Sequence, residues 1–247
     1  MIYLKSPSEI ATIKRNGAIL KSCFEMVAEL LRPGVKKKDI DRAVEKLIET
    51  AKARPAFKGF HGYPAATCIS VNEEVVHGIP NDRVFTEGDI CGIDIGVFKN
   101  GYYADAARTF AVGRISEEAE KLLDVTKTSL EKGIEQARPG NRLGDISHAV
   151  ESWANKNGFA VVKTLVGHGI GQQMHEEPQV PNFGPAGQGP ELAEGLVIAI
   201  EPMVNIGTGD VYTLKDGWTV VTADHAYSAH FEDTVAVTKE GPEILTR

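Results

Sequence analysis

The 247-residue chain carries 34 acidic against 27 basic side chains, and a formal charge of −7 with a pI near 5.6 argues against a general nucleic-acid binder. Its three cysteines, Cys23, Cys68 and Cys91, are odd in number and lack metal-ligand spacing, which suits a reducing compartment and predicts no structural disulfide. The first residues reach Glu9, Lys14 and Arg15 without an apolar signal region, and the apolar run 196–200 is far shorter than a membrane span, so a soluble cytoplasmic protein is expected, with neither DNA nor membrane as partner.

Taken in chain order, apolar residues at helical spacing predict a first helix over 8–31, with Ser6 or Ser8 as its cap and Arg32-Pro33-Gly34 as its stop. Lys36-Lys37-Lys38 reads as a solvated turn before a second helix over 39–53. Strands rich in Val, Ile, Thr and aromatics are expected at 66–71, 89–98 and 103–112, the last two joined by a tight hairpin at Lys99-Asn100-Gly101. A second helix pair follows at 117–137 and 145–156, and then strands at 196–204, 218–222 and 229–238. Each half thus supplies two helices and then antiparallel strands. The expectation is an α+β fold whose helices cover one face of a curved antiparallel sheet and leave the other face to hold a site.

The halves read as copies. Arg32-Pro33-Gly34, Asp39-Ile40 and Ala43-Val44-Glu45 recur 106 residues later as Arg138-Pro139-Gly140, Asp145-Ile146 and Ala149-Val150-Glu151, eight identities in fourteen positions. No Pro/Gly/Ser-rich linker divides them near residue 115, so the reading is one domain, 1–247, built from half-repeats of about 1–115 and 116–247. At an offset of 107 residues Glu87-Gly88-Asp89 leads an apolar strand to Asp94, and Glu194-Gly195 leads another to Glu201; Phe60-His61-Gly62 likewise echoes Gly167-His168-Gly169. One buried carboxylate can relieve its desolvation by taking a proton, but several facing one another call for a cation.

Asp94 and Asp105 flank the Asn100-Gly101 turn among small and apolar residues, and paired strands would bring them together. The nearest cation, Arg108, is open to being a surface charge. The second half adds His168, glycine-flanked, Glu201 in Glu201-Pro202-Met203, and Glu232 in Phe231-Glu232-Asp233. Four carboxylates with one imidazole suit divalent Mn, Fe, Co or Zn. They exceed the charge balance of one dication, so a two-metal centre, with about 3.5 to 4 Å between ions, is the economical reading. Such a centre makes water a nucleophile toward an amide and can hold a free α-amine, so hydrolysis at a peptide N-terminus follows.

With these residues in place the chain resembles the type I methionine aminopeptidases, of the pita-bread fold shared with prolidases and creatinase. The resemblance runs from Ile10 to Val237 and is most specific in Phe60-His61-Gly62-Tyr63-Pro64, in the segment from Cys68 to Pro80 around His77, in Gly167-His168-Gly169-Ile170-Gly171 and in Glu201-Pro202-Met203. It implies that Asp105 and Glu232 bind both ions, that Asp94 completes one and His168 with Glu201 the other, and that Glu201 also takes the proton of the attacking water. It further implies His77 near the scissile amide nitrogen, His175 on the carbonyl oxygen, and a methionine pocket of Phe60, Tyr63, Cys68, His77, Met174, His175 and Trp218. Phe57 and Met174 depart from the family, where some bacterial members have cysteine and many have phenylalanine.

The implied activity is removal of the N-terminal methionine from nascent polypeptides whose second residue is small, by a monomer, with association with ribosomes left open. An X-Pro peptidase of the same fold is the alternative enzyme, distinguished by substrates with proline second. A non-enzymatic pita-bread binding protein is the other alternative, distinguished by metal content.

Overall fold

The computed structural model describes residues 1–247. Helix α1 (Pro7–Leu30) is capped by Ser6, whose hydroxyl accepts from the Glu9 N–H while the Glu9 carboxylate accepts from the Ser6 N–H, a reciprocal capping box. Helix α2 (Lys37–Thr50) begins two residues earlier than expected. The lysine run is not a solvated turn throughout: Lys36 and Lys38 pair with exposed Asp82, but Lys37 turns inward, 1 % exposed, with its ammonium 3.0 Å from Glu74 Oε2. A basic side chain that finds a carboxylate can be buried, and composition alone does not reveal the partner. Helices α3 (Glu117–Gln136), capped by Ser116, and α4 (Leu143–Lys156) repeat the pair.

Strands β1 (Arg54–Pro55), β2 (Thr67–Val71) and β3 (Glu74–Val76) precede the long hairpin of β4 (Ile90–Lys99) and β5 (Tyr102–Ala111). Asn100 and Gly101 turn that hairpin with φ of 53° and 83°, the pair of positive values that a two-residue turn matched to strand twist requires. The second half contributes β6 (Ala160–Val161), β7 (Gly167–Gly169), β8 (Glu176–Val180), β9 (Val197–Ile200), β10 (Met203–Asn205), β11 (Val211–Thr213), β12 (Val220–Thr222), β13 (Ser228–His230), β14 (Glu232–Thr238) and β15 (Gly241–Ile244). Two expected strands are broken. The run 196–204 stops at Ile200 and restarts in a different sheet, because Pro202 has no N–H to give a ladder. The run 229–238 changes sheet at Phe231. The expected strand at 218–222 shortens to β12, since the Asp216 carboxylate takes the N–H groups of Trp218 and Thr219 into a turn.

The main sheet runs β1-β4-β5-β14-β9-β7-β8, with β2 also on β4 and β15 on β14, every pairing antiparallel. Its centre is the join of the halves, where β5 meets β14 over two residue pairs, Ala107 with Glu232 and Ala106 with Asp233. Threonine hydroxyls take over at both ends of this short ladder. Thr234 Oγ1 accepts from the Asp105 N–H and donates to the Asp105 carbonyl, and Thr109 Oγ1 does the same for His230. The seam therefore keeps its backbone groups satisfied while it splays.

Side-chain alternation sorts the sheet into two faces. Ile93, Ile95 and Val97 of β4 pack with Ile13, Leu20 and Val27 of α1 and Ile40, Val44 and Ile48 of α2; Ile198, Ile200 and Val235 pack with Leu130 and Ile134 of α3 and Ile146 of α4. Asp94, between Ile93 and Ile95, necessarily points the other way. The curved, two-halved arrangement is the pita-bread fold.

Candidate metal centre and its cavity

Every residue singled out from sequence as a ligand, catalytic group or pocket wall lines one cavity of ≈ 1010 Å³ on the sheet face opposite the helices. At its floor the register places the acids. Asp94 and Glu232 are both strand partners of Ala107, Asp105 is the partner of Gly96, and Glu201 follows the Ile200–Asp233 pair by one residue. Across the β5 pairings the partners are thus Gly96 and Ala107, small residues that leave the space between the carboxyls open. Asp105, His168 and Glu232 each put one donor atom within 4.8 Å of the other two. His168 Nε2 lies 3.6 Å from Glu201 Oε1 and 4.0 Å from Asp105 Oδ2.

These carboxyls have no protein cation. Arg108, the nearest candidate, pairs with Ile93 and so lies on the helix face, where it meets Asp233 at 2.5 Å and stacks 5.2 Å over Phe24. Burial pushes Asp94 up to about 7, and raises Asp105, Glu201 and Glu232 well above the carboxylate range, with the neighbouring acids adding to each of these three. Buried Oδ1 of Asp94, Oδ1 of Asp105 and Oε1 of Glu232 accept no hydrogen bond. Orphaned, converging carboxylate oxygens beside an imidazole nitrogen fit a divalent cation, which would supply the missing charge and take up those lone pairs.

His168 is prepared for the same task. Its Nδ1–H donates to the Gly169 carbonyl at 2.9 Å, which fixes the tautomer and leaves the Nε2 lone pair toward the acids. Burial holds the ring at about 4, hence neutral at pH 7. Its flanking glycines answer a close approach of strands: a Cβ at Gly167 would lie 2.4 Å from the Ala199 carbonyl oxygen, and one at Gly169 2.3 Å from that of Glu177.

Phe60, Tyr63, Cys68, Met174 and Trp218 pack with Phe57 into an apolar wall, with the Tyr63 and Trp218 rings edge to face at 5.1 Å. Cys68 is the strand partner of Asp94, and burial together with that carboxylate raises its thiol, so it stays a neutral, polarizable wall group. The Tyr63 hydroxyl donates to the Thr67 and Gly78 carbonyls at 3.1 and 3.0 Å. It thereby pins the turn that carries His77, whose φ of 59° is in the left-handed region. Lys37 braces this turn from behind through Glu74, whose Oε2 also accepts from the Val71 N–H at 2.8 Å. His175 packs edge-on to His168 at 4.4 Å and to Phe60 at 5.3 Å. Burial lowers both His77 and His175, leaving neutral rings with an N–H to donate.

A further histidine of the cavity was not singled out from sequence. His230 is 4 % exposed, its Nε2 lies 3.7 Å from Glu201 Oε2 without a hydrogen-bond partner, and burial lowers it to about 3. The signal was its spacing two residues before Glu232, but the break at Phe231 hides how far strand alternation runs.

Comparison with known proteins agrees with this chemistry. The sequence profile of Metallopeptidase family M24 matches residues 11–239, and the chain belongs to that family. The methionine aminopeptidase of Clostridium perfringens is 53 % identical over 246 residues, covering 100 % of this chain and 99 % of its own length. The crystal structure of methionine aminopeptidase from Rickettsia prowazekii superposes with a TM-score of 0.99 at 38 % identity, covering both chains fully. The prolidase from Pyrococcus furiosus shares the fold at a TM-score of 0.79 and 24 % identity, but the chain covers only 65 % of its length. Within the family, then, the chain groups with the type I methionine aminopeptidases.

Proposed function

We infer that the chain is a metal-dependent aminopeptidase that removes the N-terminal methionine of polypeptides whose second residue is small. The observation that carries the reading is the set of four converging carboxyls, three of them with buried unpartnered oxygens, gathered with His168 under an apolar wall that ends in a methionine, a cysteine and a tryptophan. Full-length likeness to proteins named methionine aminopeptidase supports it.

Asp94, Asp105, His168, Glu201 and Glu232 would hold two divalent ions. When bound, such ions supply Lewis acidity that polarises the scissile carbonyl and makes water a competent nucleophile near neutral pH. Glu201 would accept the proton of that water. His175 donates a hydrogen bond to the carbonyl oxygen as charge develops, and His77 does so toward the amide nitrogen. The apolar wall receives the thioether, for which sulfur and aromatic contacts are favourable.

The resemblance to the methionine aminopeptidases implies a cramped space beyond the scissile bond, where the second residue of the peptide must fit. A bulky residue there displaces the carbonyl, and a shift of about 1 Å costs ~10²-fold. Release of methionine from Met-Ala-Ser and Met-Leu-Ser tests this: the first should be cleaved and the second spared. Equal rates, or efficient release of N-terminal leucine or lysine, would show a different aminopeptidase.

A further inference from the structure

The turn between His168 and His175 is held from beneath by the N-terminal segment. Lys5 lies 171 positions from Glu176 in sequence, yet places its ammonium 2.5 Å from Glu176 Oε2, with the two side chains 4 % and 7 % exposed. Lys5 Nζ also donates to the Tyr3 carbonyl at 3.0 Å, and the Lys5 N–H donates to the Gly195 carbonyl at 2.7 Å, so the segment is itself anchored. The second carboxylate oxygen of Glu176 accepts from the Gln173 N–H at 3.1 Å, closing the turn on itself. Gly171 leaves room for the pair: a Cβ there would lie 2.5 Å from Lys5 Cε and 2.7 Å from Glu176 Oε1. The pair therefore fills the turn, one residue from His175.

Burying two charges costs desolvation, and an apolar pair of the same volume would often stabilise a fold as well or better. What the pair adds here is direction, because a carboxylate bonded on both oxygens cannot rotate without losing one partner. We propose that Lys5 is a positioning residue for His175: through Glu176 it fixes the turn 171–176, so that the imidazole reaches the carbonyl oxygen of the scissile bond. This rests on the role of His175 given above.

The test is a double-mutant cycle on Met-Ala-Ser with the metal-loaded full chain, using Lys5→Met, Glu176→Gln and His175→Ala. Lys5→Met and Glu176→Gln should each lower kcat about tenfold or more, with KM within about twofold and metal content unchanged. Added to His175→Ala, Lys5→Met should cost less than about twofold, because the group it positions is gone. An equal loss in that background, or a wild-type kcat in Lys5→Met, overturns the proposal. If Lys5→Met does not fold, Lys5→Met with Glu176→Leu supplies an apolar pair; a folded double variant with full kcat overturns it as well, whereas one with low kcat upholds it. The His175 ring resonance in NMR spectra tests the lock without turnover: Lys5→Met should shift or broaden it, and an unchanged resonance counts against the proposal. A wild-type chain that released no methionine would sink the functional reading and leave the resonance to decide this one.

Discussion

Asp94 and Glu232 stand on either side of Ala107, each its direct strand partner, one from each half of the chain. All three share a face, since directly paired residues point the same way. The side chain between the two acids is therefore a single methyl group, and the room above it is where a cation would sit. Ala107→Leu should fill that room. The expected outcome is a folded protein whose metal content falls and whose turnover drops tenfold or more, read by elemental analysis beside thermal melting. Normal metal content in that variant would move the site away from the seam.

The protonation of the site fixes the sign of a pH effect. Asp94 at about 7 holds a proton near pH 6 in the metal-free fold, and Asp105, Glu201 and Glu232 are raised in the same direction, whereas His168 at about 4 is already neutral. A cation must displace protons from carboxyls, so affinity should rise with pH. Calorimetry at pH 6 in buffers of different ionisation enthalpy should show net proton release on binding Mn or Co, and less release as pH passes about 7, where Asp94 gives up its own. Binding without proton release would mean that the acids are already ionised.

His168→Ala removes the one nitrogen donor of the cluster. Metal content and rate should fall together, and unchanged metal content with a modest loss of rate would take His168 out of the ligand set.

His175→Ala should lower kcat by roughly 10²-fold or more with little change in KM, as for a donor that matters as charge develops. His77→Ala should act in the same direction. A variant altered mainly in KM would indicate a contact made equally in the ground state.

Much of this was legible in the sequence because duplication exposed it. The 107-residue offset pairs Asp94 with Glu201, and the hairpin at Asn100-Gly101 brings Asp105 beside Asp94. Periodicity located the four helices to within a few residues, as amphipathic patterns of that length should allow. What stayed hidden depends on partners remote in sequence. Lys37 looked solvated until Glu74 met it, Lys5 gave no sign of Glu176, and the strand breaks at Pro202 and Phe231 follow from a change of sheet. Ala107 carried no signal, since its importance lies in the space it leaves.

Metal dependence of methionine release tests the account most directly. Protein stripped by chelator should release no methionine from Met-Ala-Ser, and addition of Mn, Co or Fe should restore turnover in proportion to the metal bound. Full turnover by rigorously metal-free protein would contradict the account.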